Sequence, residues 1–174
     1  MFRRSPGKIV ATVPAPFGGP NWAVEFWKPT LARPIVHGYF APSLMGSLFH
    51  WFRIFRNREY SILVIRHNGR LVHRSCLIPK FFRWPFMSDG DVQVGSTWTD
   101  PDYQCRGLAT FGLQQLVALC GANGRTVWYT AEDSNAAAIA VCMKCAFRQV
   151  ATAIRVNRLG VRLLGRFCLL DEDE

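Results

Sequence analysis

Thr99-Asp100-Pro101-Asp102-Tyr103-Gln104-Cys105-Arg106-Gly107-Leu108-Ala109 joins two stretches whose apolar residues recur with different periods. Ahead of it, Asp91 to Thr99 reads as a strand. Behind it, residues from about Gly107 to Cys120 set Leu108, Gly112, Leu116 and Leu119 on one helical face, and Gly121-Ala122-Asn123-Gly124 stops the helix. The stretch is thus a strand-to-helix turn. The first turn of a helix leaves backbone N–H groups without partners and carries partial positive charge, so the amides of residues 104–109 suit the oxygens of a diphosphate. Gly107 and Ala109 remove bulk where a ligand must approach the main chain, and Arg106 adds fixed charge. No metal is needed for this.

The flanking segments alternate. Residues 1–42 hold seven of the ten prolines and read as extended chain and loop, with a weak edge strand near Lys8–Val13. From Ser43 a helix is expected, with Leu44, Leu48, Phe52 and Phe55, and Met45 and Phe49 beside them, as its buried stripe. Glu59 to Arg66, the turn His67-Asn68-Gly69-Arg70, and Leu71 to Ile78 read as a β-hairpin. Thr126 to Ala131 is a strand, Ser134 to Cys145 a helix capped by Asp133 or Ser134, and Phe147–Val156 and Val161–Leu169 are closing strands. One domain spanning residues 1–174 follows, an α/β (mixed α+β) sandwich.

The wider pattern Thr-x-Pro-x-Tyr-Gln-x-x-Gly-x-Ala resembles the acyl-CoA pyrophosphate loop of the GNAT superfamily of N-acyltransferases. A second stretch, Asn135-Ala136-Ala137-Ala138-Ile139-Ala140-Val141-Cys142-Met143-Lys144-Cys145-Ala146-Phe147, is similar to that superfamily's Asn-x-x-Ala-Ile-x-Leu-Tyr-x-Lys-x-Gly-Phe helix. Both lie in residues 91–147, about a third of the chain, in the expected order. The resemblance implies a central, mostly antiparallel mixed sheet splayed in its middle and flanked by helices, with residues 91–147 as the acyl-CoA core and 1–58 as the acceptor side. It implies acetyl-CoA as co-substrate and direct attack of an amine on the thioester. It assigns acyl-CoA contacts to Trp98, Thr99, Gln104, Cys105, Arg106, Gly107, Leu108, Ala109 and Asn135, with a main-chain amide at Trp98 or Thr99 polarising the carbonyl.

Two positions depart from the family pattern: Cys142 stands where many relatives have a Tyr acid, and Ala146 where they have Gly. Cys142 is a candidate acid for the leaving thiolate, against its reading as a small buried residue. Cys142 and Cys145 form a lone C-x-x-C late in a helix, without the second pair that a zinc site needs. For the base the candidates are His73, Asp91 and Glu132. P-loop, serine-hydrolase elbow, zincin and dinucleotide motifs are absent from the sequence.

Charge points to an anionic partner. The chain carries +9, and residues 1–88 alone hold thirteen Lys and Arg against Glu25 and Glu59. Trp51, Phe52, Arg53, Arg83 and Trp84 could stack on a sugar and bind phosphate. The run His73-Arg74-Ser75 followed by Pro79 to Met87 resembles acyltransferases of surface-polysaccharide or amino-sugar biosynthesis, which implies a nucleotide-linked amino sugar as acceptor. The competing expectation is a basic, non-catalytic module or acyl-CoA sensor on nucleic acid or an anionic membrane. Nucleic acid is the disfavoured partner of the two, and peripheral membrane contact stays open. Pro34–Phe52 is nineteen residues without a charged side chain, yet its prolines and histidines leave too short a helix for the ~20 residues of a span. Six dispersed cysteines and the lack of a signal-peptide pattern read as a reducing cytoplasm.

Overall fold

The computed structural model describes residues 1–4, 21–121, 124–158 and 161–170. Along them run β1 (Phe2–Arg4), β2 (Trp22–Trp27), α1 (Phe40–Trp51), β3 (Ser61–His67), β4 (Arg70–Pro79), β5 (Val92–Thr99), α2 (Leu108–Gly121), β6 (Val127–Tyr129), α3 (Ala136–Lys144), β7 (Arg148–Gln149), β8 (Thr152–Arg158) and β9 (Val161–Leu170). Asn68 at φ 51° and Gly69 at φ 77° are both left-handed. That is the pair a two-residue hairpin turn requires between right-twisted strands, so β3 and β4 meet as the Asn-Gly signal says. Strands β1 to β7 form one sheet in the order β2-β3-β4-β5-β6-β1-β7, and β8 and β9 form a separate hairpin. Every pair in the sheet is antiparallel except β5 with β6. The fold is a mixed α+β sandwich with a mostly antiparallel central sheet.

Apolar residues cover both faces. On one, Leu63, Leu77, Val92 and Val94 pack under Leu113, Leu116 and Phe147, which seats α2 and α3. On the other, Trp27, Ile62, Val64 and Cys76 meet Phe55, Phe81 and Trp84. Helix α1 lies on this second face, but only part of the stripe that its sequence suggests, Phe49 and, past the helix, Phe55, packs there. Its buried residues are Ser43, Gly46 and Ser47, whereas Met45 and Phe52 are 50% and 74% exposed. Tyr60 explains the inversion: a Cβ on Gly46 would come within 2.0 Å of the Tyr60 hydroxyl, so only the small face fits there. Ser47 Oγ donates to Pro34 O at 2.6 Å, and Ser43 Oγ accepts from Val36 N at 3.1 Å, which satisfies the hydroxyls that this choice buries.

Other expectations shift by small steps. Helix α3 is capped by Asn135, whose Oδ1 accepts from Ala138 N at 3.0 Å, not by Asp133 or Ser134. The expected strand Phe147–Val156 divides into β7 and β8. The expected strand at Lys8–Val13 lies outside the described residues. Strand β1 escaped sequence reading because three residues carry no periodicity; it is built by pairing with β6 on one side and β7 on the other.

Candidate active site

The loop after β5 is shaped by its own side chains. Asp100 is buried, accepts from Asp102 N at 3.1 Å and from Arg70 Nη2 at 2.6 Å, and donates its own amide to Val72 O at 2.9 Å. Pro101 to Tyr103 make one tight helical turn, and the Tyr103 hydroxyl meets His67 Nδ1 at 2.8 Å. This anchors the start of the loop. Cys105 at φ 59° and Gly107 at φ 83° are then both left-handed, a backbone curl of the kind that gathers N–H groups around an anion.

In α2 the amide of Phe111 bonds back to Gly107 O at 2.9 Å, so the amides just ahead of it are the helix's unpaired donors. Among the described residues no main-chain acceptor meets the amides of Cys105, Arg106 or Gly107. Nothing lies within 4 Å of where a Gly107 side chain would begin. Arg106 stands over the Tyr103 ring at 5.1 Å, which holds its charge beside the same corner. These donors, the open space and the charge fit a diphosphate.

Next to this corner the sheet parts. Strands β5 and β6 are in register only from Val92↔Val127 to Val94↔Tyr129. Beyond, β5 bulges: the register with β4 runs from Cys76↔Gly95 to Arg74↔Trp98, and Ser96 sits at φ 50°. Main-chain groups alternate sides along a strand. Asp100 N–H points to β4, so Trp98 does as well, while Thr99 presents its N–H and C=O to the edge that β6 has left. Of the two candidate oxyanion donors, Thr99 is the one facing the gap. Gln104 Nε2 closes on Thr99 O at 3.4 Å, tying the phosphate corner to that edge.

A chain of hydrogen bonds runs along the α2 face of this edge. Thr99 Oγ1 lies 2.8 Å from His73 Nδ1, His73 Nε2 lies 3.1 Å from Ser75 Oγ, and Ser75 Oγ donates to Thr97 Oγ1 at 3.2 Å. Burial raises the phenol of Tyr129, at the end of β6, and the Thr97 side chain partly offsets this. Thr97 and Tyr129 were not singled out from sequence. Gly95-Ser96 inside an otherwise regular strand was the available signal, because glycine within a strand marks a bulge.

The sequence profile described as the Acetyltransferase (GNAT) family matches residues 24–147. The chain belongs to the GNAT acetyltransferase family. Among solved structures, the fold is similar to a GNAT-family protein of Novosphingobium aromaticivorans DSM 12444, at 18% identity and a TM-score of 0.51 over 84% of this chain. This chain spans only 58% of that protein's length. An aminoglycoside acetyltransferase from an uncultured soil metagenomic sample, in complex with sisomicin, matches at 12% identity and a TM-score of 0.49, covering 79% of this chain and 97% of that one. No curated protein matches this sequence.

Within this GNAT fold, the acid and base candidates fall in different places. Cys142 is wholly buried in the α2–α3 core, and burial first, then the neighbouring Cys145, pushes its thiol up to about 12. That is a weaker acid than an ordinary thiol at about 8.5, so its geometry is that of a packing residue. Asp91 sits at the closed end of β5, where its Oδ2 accepts from Ser88 N and Trp128 Nε1, both at 2.9 Å. His73 is also wholly buried, beneath Gly112 of α2. Glu132 is exposed beyond β6, at the open end of the gap, and Asn135 follows it with its side-chain oxygen given to the helix cap. Trp98 is 36% exposed on β5, and Cys105 to Gly107 are exposed in the loop.

His73 has a testable consequence. Burial, reinforced by Arg74, lowers its pKa from 6.5 to about 4. The unfolded chain therefore takes up a proton near pH 6.5 that the folded chain refuses until about pH 4. Stability from this group is complete above pH 6.5 and lost as pH falls through that window, by up to roughly 3 kcal/mol. Denaturant melts between pH 7 and 4 are expected to show a shallower decline for His73→Gln than for the native chain; equal slopes would remove the histidine as the cause.

Proposed function

We propose that this chain is an acetyl-CoA-dependent N-acetyltransferase that acts on the primary amine of a small molecule by direct attack with both substrates bound. One observation carries the reading: the acceptor-free amides ahead of Phe111 open beside the β5 edge from which β6 has parted. The amides of residues 104–109 would take the diphosphate, Arg106 would add charge, and Thr99 would offer its main chain to the arm and the thioester carbonyl. The amine nitrogen attacks the carbonyl carbon, a C–N bond forms and the C–S bond breaks. One proton leaves the amine and one joins the sulfur, which departs as a thiol.

Glu132 is our choice for taking the amine proton, directly or through a water, because it is the exposed candidate at the open end of the gap. Asn135 would use its remaining amide donors on the arm or the acceptor. Residues 91–147 form the acyl-CoA part of this reading, and the acceptor side draws on 1–58 together with the segment around Phe81–Trp84. The basic N-terminal half suits a phosphorylated acceptor such as a nucleotide-linked amino sugar. A cytoplasmic setting belongs to the same proposal, supported by six thiols with no disulfide among them. No helix among the described residues is long and apolar enough to cross a membrane.

The test is thiol release from acetyl-CoA across a panel of amines, with acetyl-CoA affinity measured separately at moderate salt. Saturable binding and amine-dependent release are expected. Glu132→Gln should lower kcat by about 100-fold with the KM for acetyl-CoA little changed, and Cys142→Ala should leave the pH profile of kcat as it was. Full turnover in Glu132→Gln would move the base elsewhere. Lack of saturable acetyl-CoA binding would end the reading.

A further inference from the structure

On the face of the sheet opposite α2, a cavity of about 400 Å³ lies between α1, the Phe81–Trp84 segment and the bulge of β5. That volume is within the range of small-molecule sites. Its walls are chiefly Met45, Phe49, Phe55, Ile78, Phe81 and Trp84, and it reaches Ser96, the left-handed residue just past the last β5–β6 pair. The cavity therefore ends on β5 at the start of the free edge whose far part, at Thr99, is assigned above to the thioester. Met45 and Phe82 stand half-exposed at its mouth, apolar surface that a bound apolar body would cover.

Few polar groups enter the cavity. Tyr39, Tyr60, Cys76 and Ser96 contribute neutral ones, with burial raising both phenols, and Arg83 is the one charged residue in the lining. No Asp or Glu lines it, so a second ammonium, as on a polyamine or a many-amine sugar, finds no carboxylate there. A sugar's hydroxyls would find few partners on such walls.

Arg74 brings a second cation beside the lining residues Tyr39 and Ser96. Its guanidinium lies 3.7 Å from the ring centre of Tyr39 and 5.6 Å from that of Trp98, and its Nη1 donates to Ser96 O. Tyr39 and Ser96 both line the cavity, so the cation is held at the cavity's reacting end. Among the described residues no carboxylate pairs with it. Its remaining donors form the planar fork that matches a carboxylate.

Resting on the acetyltransferase reading above, we propose that the acceptor is a primary amine on a compact apolar or aromatic body that also bears a carboxylate, the chemistry of an α-amino acid with an apolar side chain. The body fills the cavity, Arg74 takes the carboxylate between Tyr39 and Trp98, and the amine is left at the free β5 edge toward Thr99 and the thioester. Arg74 acts here as a specificity residue.

Thiol release from acetyl-CoA is compared for phenylalanine, phenethylamine, glucosamine and spermidine, with the native chain, Arg74→Gln and Arg74→Lys. Acetyl-CoA binding is measured alongside in the absence of amine. Phenylalanine is expected to exceed phenethylamine in kcat/KM by about 10- to 100-fold, the worth of a charged hydrogen-bonded pair. Arg74→Gln should collapse that ratio and Arg74→Lys should keep part of it. Equal or better use of glucosamine or spermidine, or an Arg74→Gln variant that keeps the native ratio, overturns the proposal. If acetyl-CoA binds but none of the four amines is used, the acceptor assignment fails while the acyl-CoA reading stands. If acetyl-CoA does not bind, both fall.

Discussion

Acetyl-CoA affinity is expected to drop about 100-fold or more in Gly107→Asp, while Gly107→Asn retains most of it. The two replacements separate charge from backbone strain. Gly107 is left-handed, and Asn and Asp both tolerate that region better than other side chains. A side chain there meets nothing within 4 Å, so neither variant is blocked by a neighbour. What differs is a negative charge at the corner assigned to the diphosphate. At an effective dielectric of about 20, like charges a few ångströms apart repel by roughly 3 to 4 kcal/mol, and each 1.4 kcal/mol is tenfold in affinity. Calorimetric titration with coenzyme A reads the result. Equal weakening by Asn and Asp would mean that the loop's conformation, not its charge, is at stake, and unchanged affinity in both would remove the loop from the site.

The largest stability effect is expected at Gly112, where Gly112→Val should cost about 3 kcal/mol or more. Glycine within a helix is intrinsically worse than alanine by about 1 kcal/mol, so its presence in α2 has to be explained by what it touches. A Cβ there would stand 2.5 Å from His73 Nε2 and 3.0 Å from a methyl of Leu63. His73 cannot turn aside easily, because Thr99 and Ser75 hold both ring nitrogens. Overpacking a fixed partner forces the helix away from the sheet, and a β-branched side chain has the fewest rotamers with which to avoid it. Chemical denaturation measures the loss. The double variant Gly112→Val, His73→Ala should recover a good part of it, since the obstruction is one side chain; an additive double variant would point to the backbone instead.

Much of this molecule was legible in the order of its residues, and the exceptions share a cause. Asn68-Gly69 predicts its hairpin because the turn is decided by two residues' own conformations. The loop from Asp100 to Gly107 was readable for the same reason: its capping aspartate and left-handed glycine act locally. Helix α1 was misread in its facing because Gly46 answers to Tyr60, a residue on another element. His73, Asp91 and Cys142 looked like chemistry in sequence, and the structure gives each of them a packing or hydrogen-bonding role that depends on distant partners. Arg74 was passed over within the run His73-Arg74-Ser75, because a charged residue on a strand becomes informative only once the cavity beside it is seen.

Strand β1 has a bearing on how the molecule comes to be. Phe2 pairs with Tyr129 and with Gln149, so β1 lies between two strands that come well over a hundred residues later in the chain. While the chain is being synthesised, β1 waits for its sheet partners until well over a hundred further residues have emerged, and closing so long a loop carries an entropic cost that local turns avoid. The β3–β4 hairpin and its neighbours can assemble early, whereas the flank carrying β6, β1 and β7 is completed only once β7 has emerged. The β6 side of the gap beside β5 therefore forms later than the β3–β4 side.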